Sequence, residues 1–226
     1  MQQTSTKPIW AGVAGLLVIL VAGALLINAY IQKERQRDLD DWSIRLGLIA
    51  ETRVEAVEEW LYRQQRSLQE LAGNASLQLY LWQVSQRKEA DPGAEPAQLT
   101  FLRNLVVASA ERYGFTDDQQ QAPLPANVPL RHASGLALLD LQQHLVVSTS
   151  GMPELGTALK LAVDAALENG SISYSRLTPD SHDRVLLGIA VPVPMVPGAQ
   201  SEDVHTGVIL AVLNVEKQLY PLLRSG

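Results

Sequence analysis

The run of apolar and polar positions divides the chain into four stretches before any single residue is weighed. Residues 9–31, IWAGVAGLLVILVAGALLINAYI, carry no charge and one strongly polar side chain, Asn28. At 1.5 Å per helical residue they span roughly 34 Å, enough for a hydrocarbon layer about 30 Å thick. Trp10 and Tyr30 stand near the two ends, where amphipathic rings favour the headgroup zone. Ala22-Gly23-Ala24 would suit a leader cleavage site. The apolar run nevertheless continues past it and exceeds the core of an ordinary cleaved leader. The pattern predicts an uncleaved transmembrane helix over 9–31 behind a short tail, 1–8.

Residues 32–86 change character. They hold no proline, one glycine (Gly47) before Gly73, and many Glu, Arg, Gln, Leu and Ala, all good helix formers. Leu39, Trp42, Leu46, Ile49, Ala56 and Trp60 recur at spacings of three and four, interrupted by Arg53. Val54, Val57, Leu61, Leu68, Leu71 and Ala75 form a second, shifted stripe. One continuous amphipathic helix is predicted. It would reach roughly 80 Å beyond a bilayer at 1.5 Å per residue. The first stripe suits a coiled-coil seam. Leu39, Trp42, Leu46 and Ile49 are therefore expected to pair two copies of the chain, and the second stripe to pack on a domain. Glu51, Arg53, Glu55, Glu58 and Glu59 read as a solvated helix face.

Residues 87–134 form a third stretch. Asp-Pro-Gly and Glu-Pro at 91–96 break the helix. A second helix is predicted over 99–113, stopped by Gly114. The polar, proline-bearing 116–134 reads as a connector.

The last stretch, 135–223, is punctuated differently. GLALLD (135–140) and HLVVSTS (144–150) around a short polar break predict a β-hairpin. A helix over 153–169 follows, with Pro153 at its start and Gly170 past its end. SISYSRL (171–177) alternates with period two, RVLLGIAVPVPMV (184–196) is a strand with late prolines, and TGVILAVLNV (206–215) is the strongest strand signal. EKQLYPLL begins a closing helical segment. The expected fold class is α+β, with a five-stranded antiparallel sheet flanked by helices.

Composition narrows the chemistry. A net charge of −6 gives no electrostatic case for nucleic-acid binding. The chain has no cysteine, which excludes disulfides, thiolate metal sites and a Cys nucleophile. Neither the spacing of the four histidines (His132, His144, His182 and His205) nor any glycine-rich or serine-elbow pattern matches a metal or catalytic motif. All four histidines read as solvated turn residues. No enzyme activity and no cofactor are expected.

Two strands before a helix and a three-stranded antiparallel meander after it make a PAS-like order. With the anchor and long helix in front, residues 32–223 resemble a Cache domain, the extracytoplasmic sensor of bacterial chemoreceptors, sensor histidine kinases of two-component systems, and cyclic-di-GMP enzymes. The resemblance rests on the GLALLD–HLVVSTSGMP hairpin, the VLLGIAVPV strand and the GVILAVLNVEKQLYPLL ending. It implies a membrane-anchored module that binds a small molecule and passes a signal across the inner membrane, with residues 32–226 in the periplasm. Lys33, Arg35 and Arg37 after the anchor outweigh Lys7 before it and by themselves favour a cytoplasmic body. A long domain, however, is exported largely regardless of such charges. Amino-acid-binding members of the family combine Tyr, Arg, Trp and Asp around the central strands. Tyr174 and Arg176 occupy that region, but no Trp follows Trp82, so amino-acid specificity is not carried over.

Tyr174, Arg176, His182 and Asp183 are the expected ligand residues, since a guanidinium and a phenol on one strand would suit a small organic anion. The competing reading is a polar strand face in water. Asp140 is expected to cap the hairpin turn, and Asn214 to be a sheet-edge polar residue. With no output domain within these residues, the stretch reads as the input part of a longer receptor or as a chain that pairs with another membrane protein. The alternative class is a bitopic scaffold protein of a secretion or pilus system, with a ferredoxin-like domain. Strand count separates them, because the scaffold needs two strands after helix 153–169 and the sensor needs three.

Overall fold

A computed structural model describes residues 7–86, 96–116, 134–181, 183–196 and 204–224. The chain divides into two units, Met1–Val54 and Glu55–Gly226. Helix α1 (Lys7–Ala72) contributes to both. The expected anchor falls in the N-terminal part of α1, and most of its side chains lie outside the described residues. Among the described residues no helix is long and apolar enough to cross a membrane. Within the first unit, Leu39, Trp42, Leu46 and Ile49 are 63, 61, 60 and 47% exposed.

The expected single helix over 32–86 breaks at Gly73-Asn74. α1 ends at Ala72 and α2 spans Ala75–Ser85. Asn74 adopts an extended backbone, and its Oδ1 accepts the amides of Ser76 and Leu77 at 3.0 and 3.1 Å. Glycine is a poor helix residue and asparagine a strong N-cap, so the two together favour a new start over a continued turn. α3 (Ala97–Tyr113) then ends at Gly114 in the left-handed region, φ 75°, as its sequence predicts.

Strands β1 (Gly135–Asp140) and β2 (Leu145–Ser148) form the expected hairpin, antiparallel. Asp140 caps its turn, accepting the amides of Gln142 and His144 at 2.9 and 2.7 Å. α4 runs Thr157–Asn169 and not from Pro153, with Gly156 as the extended residue before it. Met152 and Leu155 in the lead-in pack against the core, which holds that segment extended. β5 (Val185–Pro194) and β6 (His205–Asn214) are paired along their length. β6 also pairs with β1, giving the order β2-β1-β6-β5-β3, antiparallel throughout.

The strand expected over 171–177 is split, so the sheet has six strand segments rather than five. β3 (Ser173–Tyr174) and β4 (Thr178–Pro179) both pair with β5. Ser175 explains the interruption. Its Oγ accepts the Gly188 amide at 2.7 Å and donates to the Arg176 carbonyl at 3.0 Å. A side chain thus takes a bond the ladder would have used. Both pieces occupy the same edge of β5, so three strand positions follow α4.

The sheet is buried on both faces. Leu136, Leu138, Leu187, Ile189, Val191, Ile209, Ala211 and Leu213 pack against Trp60, Leu68 and Leu71 of α1 and against α2 and α3. Their neighbours Ala137, Leu139, Leu186, Ala190, Val208, Leu210 and Val212 pack against Leu159, Ala162, Val163 and Ala166 of α4. Side chains alternate faces along a strand, so two covered faces demand the unbroken apolar runs seen in β5 and β6. Gly188 and Gly207 mark the tightest points. A Cβ at Gly188 would strike Leu159, and one at Gly207 would strike the Leu139 carbonyl oxygen. Asn214 is not at a sheet edge. It is buried at the end of central β6 and caps α5 (Val215–Gln218) by accepting the Glu216 amide at 3.0 Å. α6 (Tyr220–Arg224) closes the described chain.

Candidate functional site

The sheet edge opens beyond β3. Ser173 pairs with Ala190, while β5 continues through Val191, Pro192, Val193 and Pro194. Proline has no amide N–H to offer a further strand, so it suits such an edge. An open cleft of about 690 Å³ lies here. One wall is the end of α1, with Gln65, Gln69, Ala72 and Gly73. The other is Gly170, Ser171, Ile172 and Tyr174, together with Val191, Pro192, Pro194 and His205. The volume lies in the range of small-molecule sites.

Tyr174 joins the walls, its phenol donating to Gln65 Oε1 at 3.3 Å. Burial pushes the Tyr174 phenol above its ordinary value, because a phenolate is penalised away from water. Gly170 ends α4 with φ 61°, and a Cβ there would sit 3.0 Å from His205 Nε2. The left-handed backbone favours glycine there, and a side chain would also press on the imidazole. His205 opens β6 and is not the solvated turn residue expected. Its Nδ1 is buried and has no hydrogen-bond partner among the described residues.

The four expected ligand residues are placed as follows. Tyr174 is on β3 and lines the cleft. Arg176 is exposed between β3 and β4 and is not among the cleft's lining residues. Asp183 is exposed in the β4–β5 turn with φ 58°, its amide donating to the Asp180 carbonyl at 3.2 Å. His182 lies outside the described residues. In the same turn Asp180 receives Arg184 Nε at 2.8 Å, an ion pair that ties β4 to β5. His144 is exposed beside Asp140, 3.3 Å from its carboxylate, and His132 lies outside the described residues.

Sequence reasoning missed Gln65, Gln69 and His205. Glutamines in a charged, helix-rich stretch look like solvated face residues, and nothing in their spacing places them against residues more than a hundred positions later. Gly170 was legible as a helix stop, but its second duty, making room for His205, was not.

No family model and no curated relative matches the sequence. Among the solved structures to which the chain is similar are two receptor domains. One is the sensory domain of the Campylobacter jejuni chemoreceptor Tlp3 with isoleucine bound, at 12% identity and a TM-score of 0.36. The other is the extracellular domain of vpHK1S-Z8, described as a histidine kinase, at 17% identity and a TM-score of 0.39. The matches cover 77% and 76% of this chain, and this chain spans 66% and 62% of theirs.

Proposed function

We propose that the chain is the sensor part of a membrane-anchored receptor of the Cache type, which binds a small molecule outside the cytoplasm and signals through α1. The observation that carries this reading is the composition of the cleft. Its two walls belong to different elements, α1 and the edge of the sheet, and Tyr174 bonds one to the other. An occupant touching Gln65 or Gln69 and the β3–β5 edge changes how α1 is held. A displacement needs differential contact in two states to be a signal, and a ligand between two elements provides it. Three strand positions after α4 fit the PAS-like order better than the two of a ferredoxin-like scaffold domain.

In this reading residues 9–31 span the inner membrane and 32–226 lie in the periplasm. The exposed Leu39, Trp42, Leu46 and Ile49 pair with a second copy, since their three- and four-residue spacing is that of a two-helix seam. Arg176 and Asp183 stand at exposed positions outside the cleft's lining.

Single cysteines at 35–50 in native membranes test the reading, with no native thiol to interfere. Disulfide yield is expected to peak with a period near 3.5 at positions 39, 42, 46 and 49, and a reporter fused after Gly226 is expected to work only when exported. Aperiodic crosslinking, or activity of a cytoplasm-only reporter, overturns it.

A further inference from the structure

The cleft carries a second message, about what fills it. Among the described residues that line it there is no Lys, Arg, Asp or Glu. Its polar groups are the amides of Gln65 and Gln69, the Ser171 hydroxyl, the Tyr174 phenol and the His205 imidazole, set beside apolar Ile172, Val191 and two prolines. Resting on the sensor reading above, we propose that this cleft takes a small uncharged molecule that pairs hydrogen-bonding groups with an apolar face, such as a carboxamide or a hydroxylated ring, and that Gln65 and Tyr174 are its principal contacts.

An anion needs a fixed positive charge or several convergent donors to replace its water, and the described lining residues offer no guanidinium or ammonium. Arg66, next to Gln65 in sequence, and Arg176, two residues past Tyr174, are not among the lining residues. A neutral ligand meets no such penalty. The Tyr174 phenol donates to Gln65 Oε1, which leaves the Gln65 amide N–H groups to donate to a ligand acceptor, and Gln69 one turn further along α1 repeats the same chemistry. Amide side chains both donate and accept, so they match carboxamides and hydroxyls equally. The His205 ring lines the same wall, while its Nδ1 is buried beneath it, without a hydrogen-bond partner among the described residues. Ile172, Val191, Pro192 and Pro194 then receive the apolar face.

The test is a thermal-shift panel on the full chain in detergent micelles. Neutral monosaccharides, polyols and small carboxamides are compared with acetate, malate and other carboxylates. Gln65→Leu and Tyr174→Phe are run beside the parent, after each is shown to melt cooperatively without ligand. The expected result is a rise in Tm with one or more neutral compounds and none with carboxylates. Each substitution should weaken the dissociation constant of the hit about tenfold, the scale of one lost hydrogen bond. A carboxylate hit that the two substitutions weaken overturns the ligand class and leaves the sensor reading standing. So does a carboxylate hit lost in Arg176→Ala alone. A neutral hit indifferent to both substitutions overturns the placement in this cleft. No shift with any compound overturns both the inference and the small-molecule reading.

Discussion

The proposed signalling through α1 requires that its C-terminal part be folded onto the sheet and not merely adjacent in sequence, and Leu68 measures this. Its side chain is 0% exposed and sits in the same cluster as Trp60 and Leu71 of α1 and the inner residues of β1, β5 and β6. Leu68→Ala removes the buried branched end of the side chain and leaves a cavity that packed neighbours fill only in part. Such changes cost about 2–5 kcal/mol. A fully enclosed position joined to both helix and sheet belongs near the middle of that range, about 3 kcal/mol. In a domain the size of the second unit, each kcal/mol moves Tm by about 2–4 °C, so the expected fall is about 6–12 °C. Near-UV circular dichroism follows the melt, because Trp60 is itself in the cluster and far-UV signal is dominated by helix. Leu68→Met keeps the volume and is expected to lose under about 1.5 kcal/mol. Leu48→Ala, at a position 65% exposed, is expected to stay within about 0.5 kcal/mol. A Leu68→Ala protein melting within a degree of the parent would refute the docking of α1 and the signalling route with it.

Two further predictions concern the sheet and the cleft. Gly207→Ala is expected to cost about 3 kcal/mol in urea unfolding, since the new methyl meets the Leu139 carbonyl oxygen of the central β1–β6 ladder and Leu81 Cδ2 at 3.0 Å. Gly156→Ala meets nothing within 4 Å and serves as control, so equal midpoints for the two would contradict the packing. Tyr174, whose folded-state phenol titrates above the ordinary value of 10.0, binds its proton more tightly in the native protein than in the unfolded one. Its contribution is therefore complete below about pH 10 and is lost as pH rises through the folded value. Tyr174→Phe is expected to flatten that alkaline loss, and an unchanged stability profile from pH 9 to 11 would show that the phenol is not desolvated.

Local signals were sufficient for most elements. The hairpin, the stop of α3 at Gly114, the stop of α4 at Gly170 and the long strands β5 and β6 were legible because each depends on short-range chemistry: turn residues, left-handed caps, and runs of β-branched and aliphatic side chains. Asp140 could be read as a turn cap for the same reason, since its partners are two and four residues away. The helical character of 32–86 was also legible, and the break at Gly73-Asn74 carried its own signal in a poor helix residue followed by a strong N-cap.

What only the tertiary structure decided is the pairing of distant segments. Ser175 interrupts its strand because Gly188, thirteen residues on, presents an amide to its hydroxyl. Asn214 is buried at the end of a central strand because β1 and β5 flank β6, and not because of any neighbour in sequence. The cleft arises where β3 stops short along β5 and the end of α1 passes the exposed edge, which brings Gln65 to Tyr174 across 109 positions. A period in the sequence reports which face of an element is apolar. Which partner covers that face, and where a gap is left between partners, depends on packing among elements far apart in the chain. That information is held by no local stretch of residues.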